Sequence, residues 1–268
     1  MPNEVDLYDG AYGNYDSDIY RQVRIETYGE DFGQTSWVTT EESEQIPRSL
    51  SLTNDSSVLE IGCGSGAYAL HLARQFGCHI VGLDINDLGI RTANHLASDA
   101  GLAQKVRFEV CDVSQALPFA AATFDAVFAN DVLCHIPVRP SLLCEMYRVL
   151  KPGLGRMLFS DALVIGGLIT HHEIATRSSI GFYVFSPPGE NERWIRNAGF
   201  SDIKVEDTTE SAAQIAARWH NARQKHKERL VAAEGLGKWE GLQRFLSCVQ
   251  ALTEERRLLR LLYHAQKA

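Results

Sequence analysis

The sequence predicts an α/β protein: a doubly wound, mainly parallel sheet of seven strands, with helical elements before and after it. Three observations carry that reading. From residue 57 onward, short apolar runs alternate with helix-length amphipathic segments, the pattern of parallel strands joined by crossover helices. The first run enters a glycine-rich turn, Gly62-Cys63-Gly64-Ser65-Gly66, at a strand-to-helix junction. Acidic residues then stand at successive strand ends: Glu60, Asp84 and Asp112.

Each element has its own signal. Residues 57–61 are a short apolar strand ending at glycines. Residues 67–76 read as a helix, with Leu70, Leu72, Ala73 and Phe76 on its apolar face and Gly77 closing it. Residues 79–85 form the second strand, and Asn86 suits the N-cap of a helix running towards Gly101. Residues 106–110 and 124–130 are the next strands. Pro140 can start a helix carrying Leu142, Leu143, Met146, Val149 and Leu150, ended by Lys151-Pro152-Gly153. Residues 156–161 are a fifth strand, 190–197 a helix stopped by Gly199, 202–206 a sixth strand and 258–264 a last one.

Chain organisation follows: a helical cap at 1–56, a core at 57–207, a helical insertion at 208–256 and a final core strand at 257–268. Within the core, 162–189 departs from the alternation, with Gly166-Gly167 and Pro187-Pro188. Open sheets of this type bind ligands beyond the C-terminal ends of their strands, so excursions from those ends are candidate lids.

The 268 residues can hold one large domain with a full core. Apolar residues make up 45% and charged residues 22%, ordinary for a soluble protein. A net charge of −8 gives no general grip on nucleic-acid phosphates, and the basic run 218–229 reads as a solvated helix face. No apolar run is long enough to span a membrane, and residues 1–10 are acidic, without a signal pattern. The six cysteines form no CxxC pair, which fits a reduced, cytoplasmic protein.

The chemistry is read at the glycine turn. Glycines there let backbone approach a ligand, and the following helix offers oriented N–H groups. Gly62, Gly64 and Ala67 also satisfy the dinucleotide pattern GxGxxG/A, which keeps a nicotinamide-dependent oxidoreductase open. Glu60 weighs against it: a carboxylate there opposes a pyrophosphate but suits a cationic amino group. Asp84 can accept bonds from ribose hydroxyls. Asp112 can accept from an exocyclic adenine amine or serve as a turn cap.

Across residues 58–161 the sequence resembles class I S-adenosylmethionine-dependent methyltransferases, through VLEIGCGSG, VGLDIN, RFEVCDV, LPFAAATFDAVFAND and RVLKPGLGRMLFSD. The resemblance implies a Rossmann-like sheet whose last strand is antiparallel. It implies Glu60, Gly62 and Gly64 around the methionine portion of S-adenosyl-L-methionine, Asp84 at the ribose, Asp112 with Val113 at the adenine, and Asn130 alongside. Cys63, Gly66 and Ile85 complete the expected cofactor set, and S-adenosyl-L-homocysteine is the implied product. Leu154 in KPGLGR departs from the family's KPGG and lengthens a loop.

The acceptor is sought in the flanks. Tyr15-Asp16-Ser17-Asp18 and the stretch from Tyr28 to Gly33 resemble small-molecule N-methyltransferases acting on glycine derivatives and phosphoethanolamine, and quinone C-methyltransferases share several of these features. Asp131 and His135 match the spacing at which phosphoethanolamine methyltransferases place site residues. His135 is the candidate base, with a packed histidine as the alternative. Tyr15 is a candidate catalytic partner. Tyr15, Tyr20 and Tyr28 are candidates to close over the cofactor or touch substrate, and Trp37 could face a cationic acceptor; packing roles stay open for all four. His171 and His172 are candidate lid contacts. Adjacent histidines diverge by about 100° on a helix, so no metal site is expected. The expectation is methylation of a small-molecule amine. O- or C-methylation of an aromatic, carboxylate or quinone remains an alternative, as does a non-catalytic cofactor-binding partner. The apolar positions Leu230, Leu236, Trp239, Leu242, Phe245, Leu246 and Val249 suit either a lid or a homodimer contact.

Overall fold

The computed structural model describes residues 7–268; the acidic start at residues 1–6 lies outside the described residues. Three helices precede the sheet: α1 (Tyr8–Gly13), α2 (Asp18–Tyr28) and α3 (Thr40–Ser49). α3 begins at a reciprocal cap. The Thr39 hydroxyl accepts from Glu42 N, and the Glu42 carboxylate accepts from Thr39 N, so two otherwise orphaned donors are satisfied.

The core then runs β1 (Ser57–Ile61), α4 (Ala67–Phe76), β2 (His79–Asp84), α5 (Asp87–Asp99), β3 (Val106–Val110), β4 (Ala126–Ala129), a 3₁₀ turn (Leu133–His135), α6 (Arg139–Val149) and β5 (Arg156–Ile165). It continues with α7 (His171–Arg177), α8 (Glu190–Asn197), β6 (Ser201–Asp207), α9 (Thr209–Lys225), α10 (Lys227–Glu234), α11 (Leu236–Glu254) and β7 (Leu258–Gln266). All seven strands join one sheet in the order β3-β2-β1-β4-β5-β7-β6. Only β7 runs antiparallel, between β5 and β6. The chain leaves β1 towards β3 and returns beside β1 as β4, so the strand order reverses there and a crevice opens at the C-terminal ends of β1 and β4.

Strand alternation sends Val58 to the layer built on α4 and α5, and Leu59 and Ile61 to the layer built on α6 and α8. A third cluster joins the cap to the insertion through Tyr28, Trp37, Trp219, Trp239 and Phe245. Of the seven apolar positions singled out in 208–256, six are buried inside the chain itself; Leu236 alone is exposed. The basic run 218–229 is only partly a solvated face. Arg223 forms a buried pair with Glu234, and Lys225 and His226 reach Glu26 on α2.

Several boundaries differ from the sequence expectation for physical reasons. β2 stops at Asp84, whose carboxylate turns back to accept from Asn86 N. β4 is shorter than 124–130, because Asp125 accepts from Ser57 N and Phe124 makes only an isolated bridge to Leu150. β5 passes through Asp161 to Ile165. That buried carboxylate is met inside the strand by Arg139 and Asn191, so the charge does not end it.

Candidate active site

The glycine turn is shaped by two side chains from distant elements. Gly62 and Gly64 have φ of +72° and +53°, a region that favours glycine. A Cβ on Gly62 would lie 2.2 Å from Val132 Cγ2, and one on Gly64 would lie 2.7 Å from the Tyr12 hydroxyl. The strand-four turn therefore closes one side of the loop and α1 the other. Asp84 ties the loop to β2: its Oδ2 accepts from Gly64 N and its Oδ1 from Asn86 N, both at 2.8 Å. Burial raises its pKa, while those backbone bonds pull the other way. Each oxygen keeps a further lone pair for a ligand.

Beside this turn lies a cleft of about 520 Å³, its open mouth included, lined by Glu60, Gly62, Cys63, Gly64 and Asn130 from the core and by Tyr12, Tyr68 and the 32–36 segment. Glu60 is only 4% exposed. Its Oε2 and the Asn130 Oδ1 are both buried, and among the described residues no donor reaches either. Burial, with the nearby Asp84 carboxylate, pushes Glu60 well above the usual carboxylate range. Two buried acceptors without donors are costly to leave so, by about 1–3 kcal/mol each. An arriving cation that donates hydrogen bonds removes that cost. Burial also raises the Cys63 thiol, with the nearby Glu60 and Asp84 carboxylates adding to it.

The remaining cofactor candidates divide. Asp84, Ile85 and Asp112 stand at the ends of the adjacent strands β2 and β3, and Ile85 is 70% exposed. Asp112 is exposed, and bonds from Ser114 hold it below the usual carboxylate range. Val113 is turned into the core beneath. Gly66 adopts a left-handed conformation and starts α4.

On the other side of strand four, His135 sits between two tyrosines. Its Nδ1 lies 3.0 Å from the Phe182 carbonyl, which can only accept, so Nδ1 carries the proton. Nε2 is then free to accept from the Tyr8 hydroxyl at 3.0 Å. Burial lowers the His135 pKa to about 4, which keeps the ring neutral. The Tyr183 ring lies 4.4 Å from it, centroid to centroid. Beyond Tyr183 stands Arg177, 1% exposed. Its guanidinium is 4.6 Å from the Tyr183 ring centre, 5.0 Å from Phe245 and 5.7 Å from Trp37. Its Nη1 has no hydrogen-bond partner, and among the described residues no carboxylate pairs with it.

Other expected site residues are placed elsewhere. Tyr8, not Tyr15, is the tyrosine brought to His135; the Tyr15 ring covers Arg24 at 4.6 Å, and Arg24 is paired with Asp31. Tyr28 is buried and donates to Ser36 O; Tyr20 donates to Glu234. Trp37 faces the protein's own Arg177 rather than an open space. Asp131 is buried and engaged by Arg260, Ser160 and Trp37 N. His171 and His172 are exposed on α7 and line none of the described cavities. The sequence reading passed over Tyr8, Tyr12 and Arg177. Tyr8 and Tyr12 are one helical turn apart, a spacing that could have marked a shared face; Arg177 has no local signal.

Comparison with known proteins identifies the core. Residues 59–159 match the methyltransferase domain family. The chain is 29% identical over 224 residues to phosphoethanolamine N-methyltransferase 1 of Zea mays, covering 82% of this chain and 44% of that protein. It thus spans less than half the length of that relative. It is 27% identical to 27-O-demethylrifamycin SV methyltransferase of Amycolatopsis mediterranei, across 87% of this chain and 88% of that one. A Haemonchus contortus phosphoethanolamine N-methyltransferase 2, solved with phosphomonomethylethanolamine and S-adenosylhomocysteine, superposes with a TM-score of 0.81 at 23% identity, over 98% of this chain and 61% of that one. Residues 59–159 therefore match a methyltransferase domain and lie on a Rossmann-like seven-stranded sheet.

Proposed function

We propose that the protein transfers a methyl group from S-adenosylmethionine to an amine of a small acceptor that also bears an anionic group. The observation that carries the cofactor is the cleft's pair of buried, donorless oxygens, Glu60 Oε2 and Asn130 Oδ1. They fit a ligand that brings an ammonium and a positive sulfur, and they would oppose a pyrophosphate. Glu60 and the glycine turn would hold the amino-acid end, Asp84 the ribose hydroxyls, and Ile85 and Asp112 the adenine. When bound, S-adenosylmethionine supplies an electrophilic methyl group.

The chain's own residues do the rest. Attack in line requires the acceptor nitrogen to be held with its lone pair free. The Tyr8 hydroxyl, already donating to neutral His135 Nε2, can pass its proton to that nitrogen while taking one from the acceptor. Arg177 supports the second half of the reading. Its guanidinium is fully buried, hydrogen-bonded to Tyr183 and packed on aromatic rings, yet among the described residues Nη1 has no partner and no carboxylate pairs with it, so an anion on the acceptor would add the missing counter-charge. A phosphate or carboxylate on the acceptor would fill that place and set the amine beside Tyr8. The names of the plant and nematode relatives agree with such an acceptor.

O-methylation is the second reading, favoured by the match to the rifamycin enzyme across most of both chains. No helix among the described residues is long and apolar enough to cross a membrane. The unpaired cysteines support a reducing, cytoplasmic setting.

Calorimetry with S-adenosylhomocysteine and with NADH tests the cofactor: binding of NADH alone would reject the reading. Turnover across phosphoethanolamine, sarcosine, uncharged ethanolamine analogues and phenols tests the acceptor. The proposal expects the anionic amines to turn over and Arg177→Met to raise their KM. Turnover confined to neutral phenols would favour the second reading.

A further inference from the structure

One guanidinium ties the catalytic core, the N-terminal cap and the helical insertion together at a single point. Arg260, on β7, is fully buried. Its Nε donates to Asp131 Oδ1 at 2.9 Å and Oδ2 at 3.2 Å, and its Nη1 donates to Glu42 Oε1 at 2.6 Å and Thr208 Oγ1 at 2.7 Å. Glu42 belongs to the α3 cap, and Thr208 stands where β6 passes into α9. Asp131 is held from two further sides: Ser160 donates to its Oδ1 at 2.8 Å, and Trp37 N to its Oδ2 at 2.8 Å.

Asp131 has φ of +58°, a left-handed conformation that costs a non-glycine residue free energy and persists only where its surroundings enforce it. That backbone turn decides where its neighbours go. Asn130, just before it, presents the donorless Oδ1 to the cofactor cleft. Val132, just after it, packs over Gly62. The 3₁₀ turn that follows carries His135 to Tyr8. We infer that Arg260 is a positioning residue: by holding the Asp131 carboxylate it fixes the left-handed turn, and so places Asn130 on the cofactor side and His135 on the acceptor side together. The inference rests on the proposed reading of those two sides. It also gives the last strand a role in the site from which it is remote in sequence.

The test compares Arg260→Met, which keeps volume but removes the charge, with the double variant Arg260→Met/Asp131→Gly. Glycine adopts the left-handed turn without a carboxylate to be compensated. Two readouts avoid any need for an acceptor: S-adenosylhomocysteine affinity by calorimetry, and titration of His135 by NMR, assigned with His135→Gln. In Arg260→Met, affinity should fall about ten-fold or more, and His135 should titrate upward from about 4 towards the ordinary 6.5 as it leaves its buried place. The double variant should recover both, because the turn is restored although the Glu42 contact is still missing. Arg260→Lys reaches one carboxylate at a time and serves where the methionine variant does not fold; it should show the same two changes in weaker form. Folded single variants with unchanged affinity and His135 titration would overturn the inference. So would a folded double variant that recovers neither, since Arg260 would then act only through the cap. If the unaltered protein binds no S-adenosylhomocysteine, the cofactor reading fails by itself, and the His135 titration still decides the role of Arg260.

Discussion

In the proposed reading Asp84 serves fold and ligand at once. Its two oxygens receive Gly64 N and Asn86 N, so it stitches the glycine turn to the end of β2 before any ribose arrives. Asp84→Ala should weaken S-adenosylhomocysteine binding about 10- to 100-fold, the size expected for losing hydrogen bonds to a charged group. It should also lower the melting temperature, because two backbone donors lose their acceptor. Calorimetry and a thermal scan read both effects, and unaltered affinity would remove Asp84 from the site. Tyr8 makes the opposite case: in the proposed reading its hydroxyl serves chemistry more than folding. Tyr8→Phe keeps the ring against Tyr12 and His135 and deletes the donor to Nε2. Turnover on whichever acceptor is found should fall about 10²- to 10⁴-fold, with S-adenosylhomocysteine affinity within about three-fold of the unaltered protein, a difference near the usual noise of non-contacting changes.

At the level of elements, the cap earns its rigidity from its ends. The reciprocal bonds between Thr39 and Glu42 fix the start of α3, and Glu42 is also the contact that Arg260 reaches. Thr39→Ala should cost about 0.5–2 kcal/mol, the usual price range for an N-cap, seen as a lower denaturation midpoint with an unchanged slope. An unshifted midpoint would mean that Arg260 alone anchors this end. Elements with local signals were legible in the sequence: α4 closes at Gly77, and α8 ends just before Gly199, because a glycine follows the helix-forming run in each case. β5 was read short because Asp161 looks like a strand end. Its partners Arg139 and Asn191 lie 22 and 30 residues away, and no local pattern announces a buried ion pair. The proposed cofactor side was legible because its residues sit at strand ends next to a glycine turn. On the proposed acceptor side only His135 was legible, since Tyr8, Tyr183 and Arg177 join it only once three separate segments fold together.

For the molecule as a whole, the buried titratable groups around the site make stability and cofactor binding depend on pH in opposite ways. Glu60 has a raised pKa in the folded protein, so the native state holds its proton more tightly than the unfolded chain. Stability without cofactor should therefore decline as pH rises from the ordinary 4.5 towards the folded value. His135 has the reverse sign. Its folded pKa is depressed, so the unfolded chain takes up protons first, and stability should decline as pH falls from 6.5 towards about 4. A bound ammonium favours the Glu60 carboxylate and cancels the first decline without touching the second. The gain in melting temperature produced by S-adenosylhomocysteine should thus grow with pH above the ordinary carboxylate range, and binding should release protons. Calorimetry in buffers of different ionisation enthalpy counts those protons directly. Glu60→Gln cannot ionise; it should flatten the alkaline decline, abolish the proton release and leave the acid limb set by His135 in place. Proton release of the same size in Glu60→Gln would assign the linkage to another group, with Asp84 the nearest anion to examine.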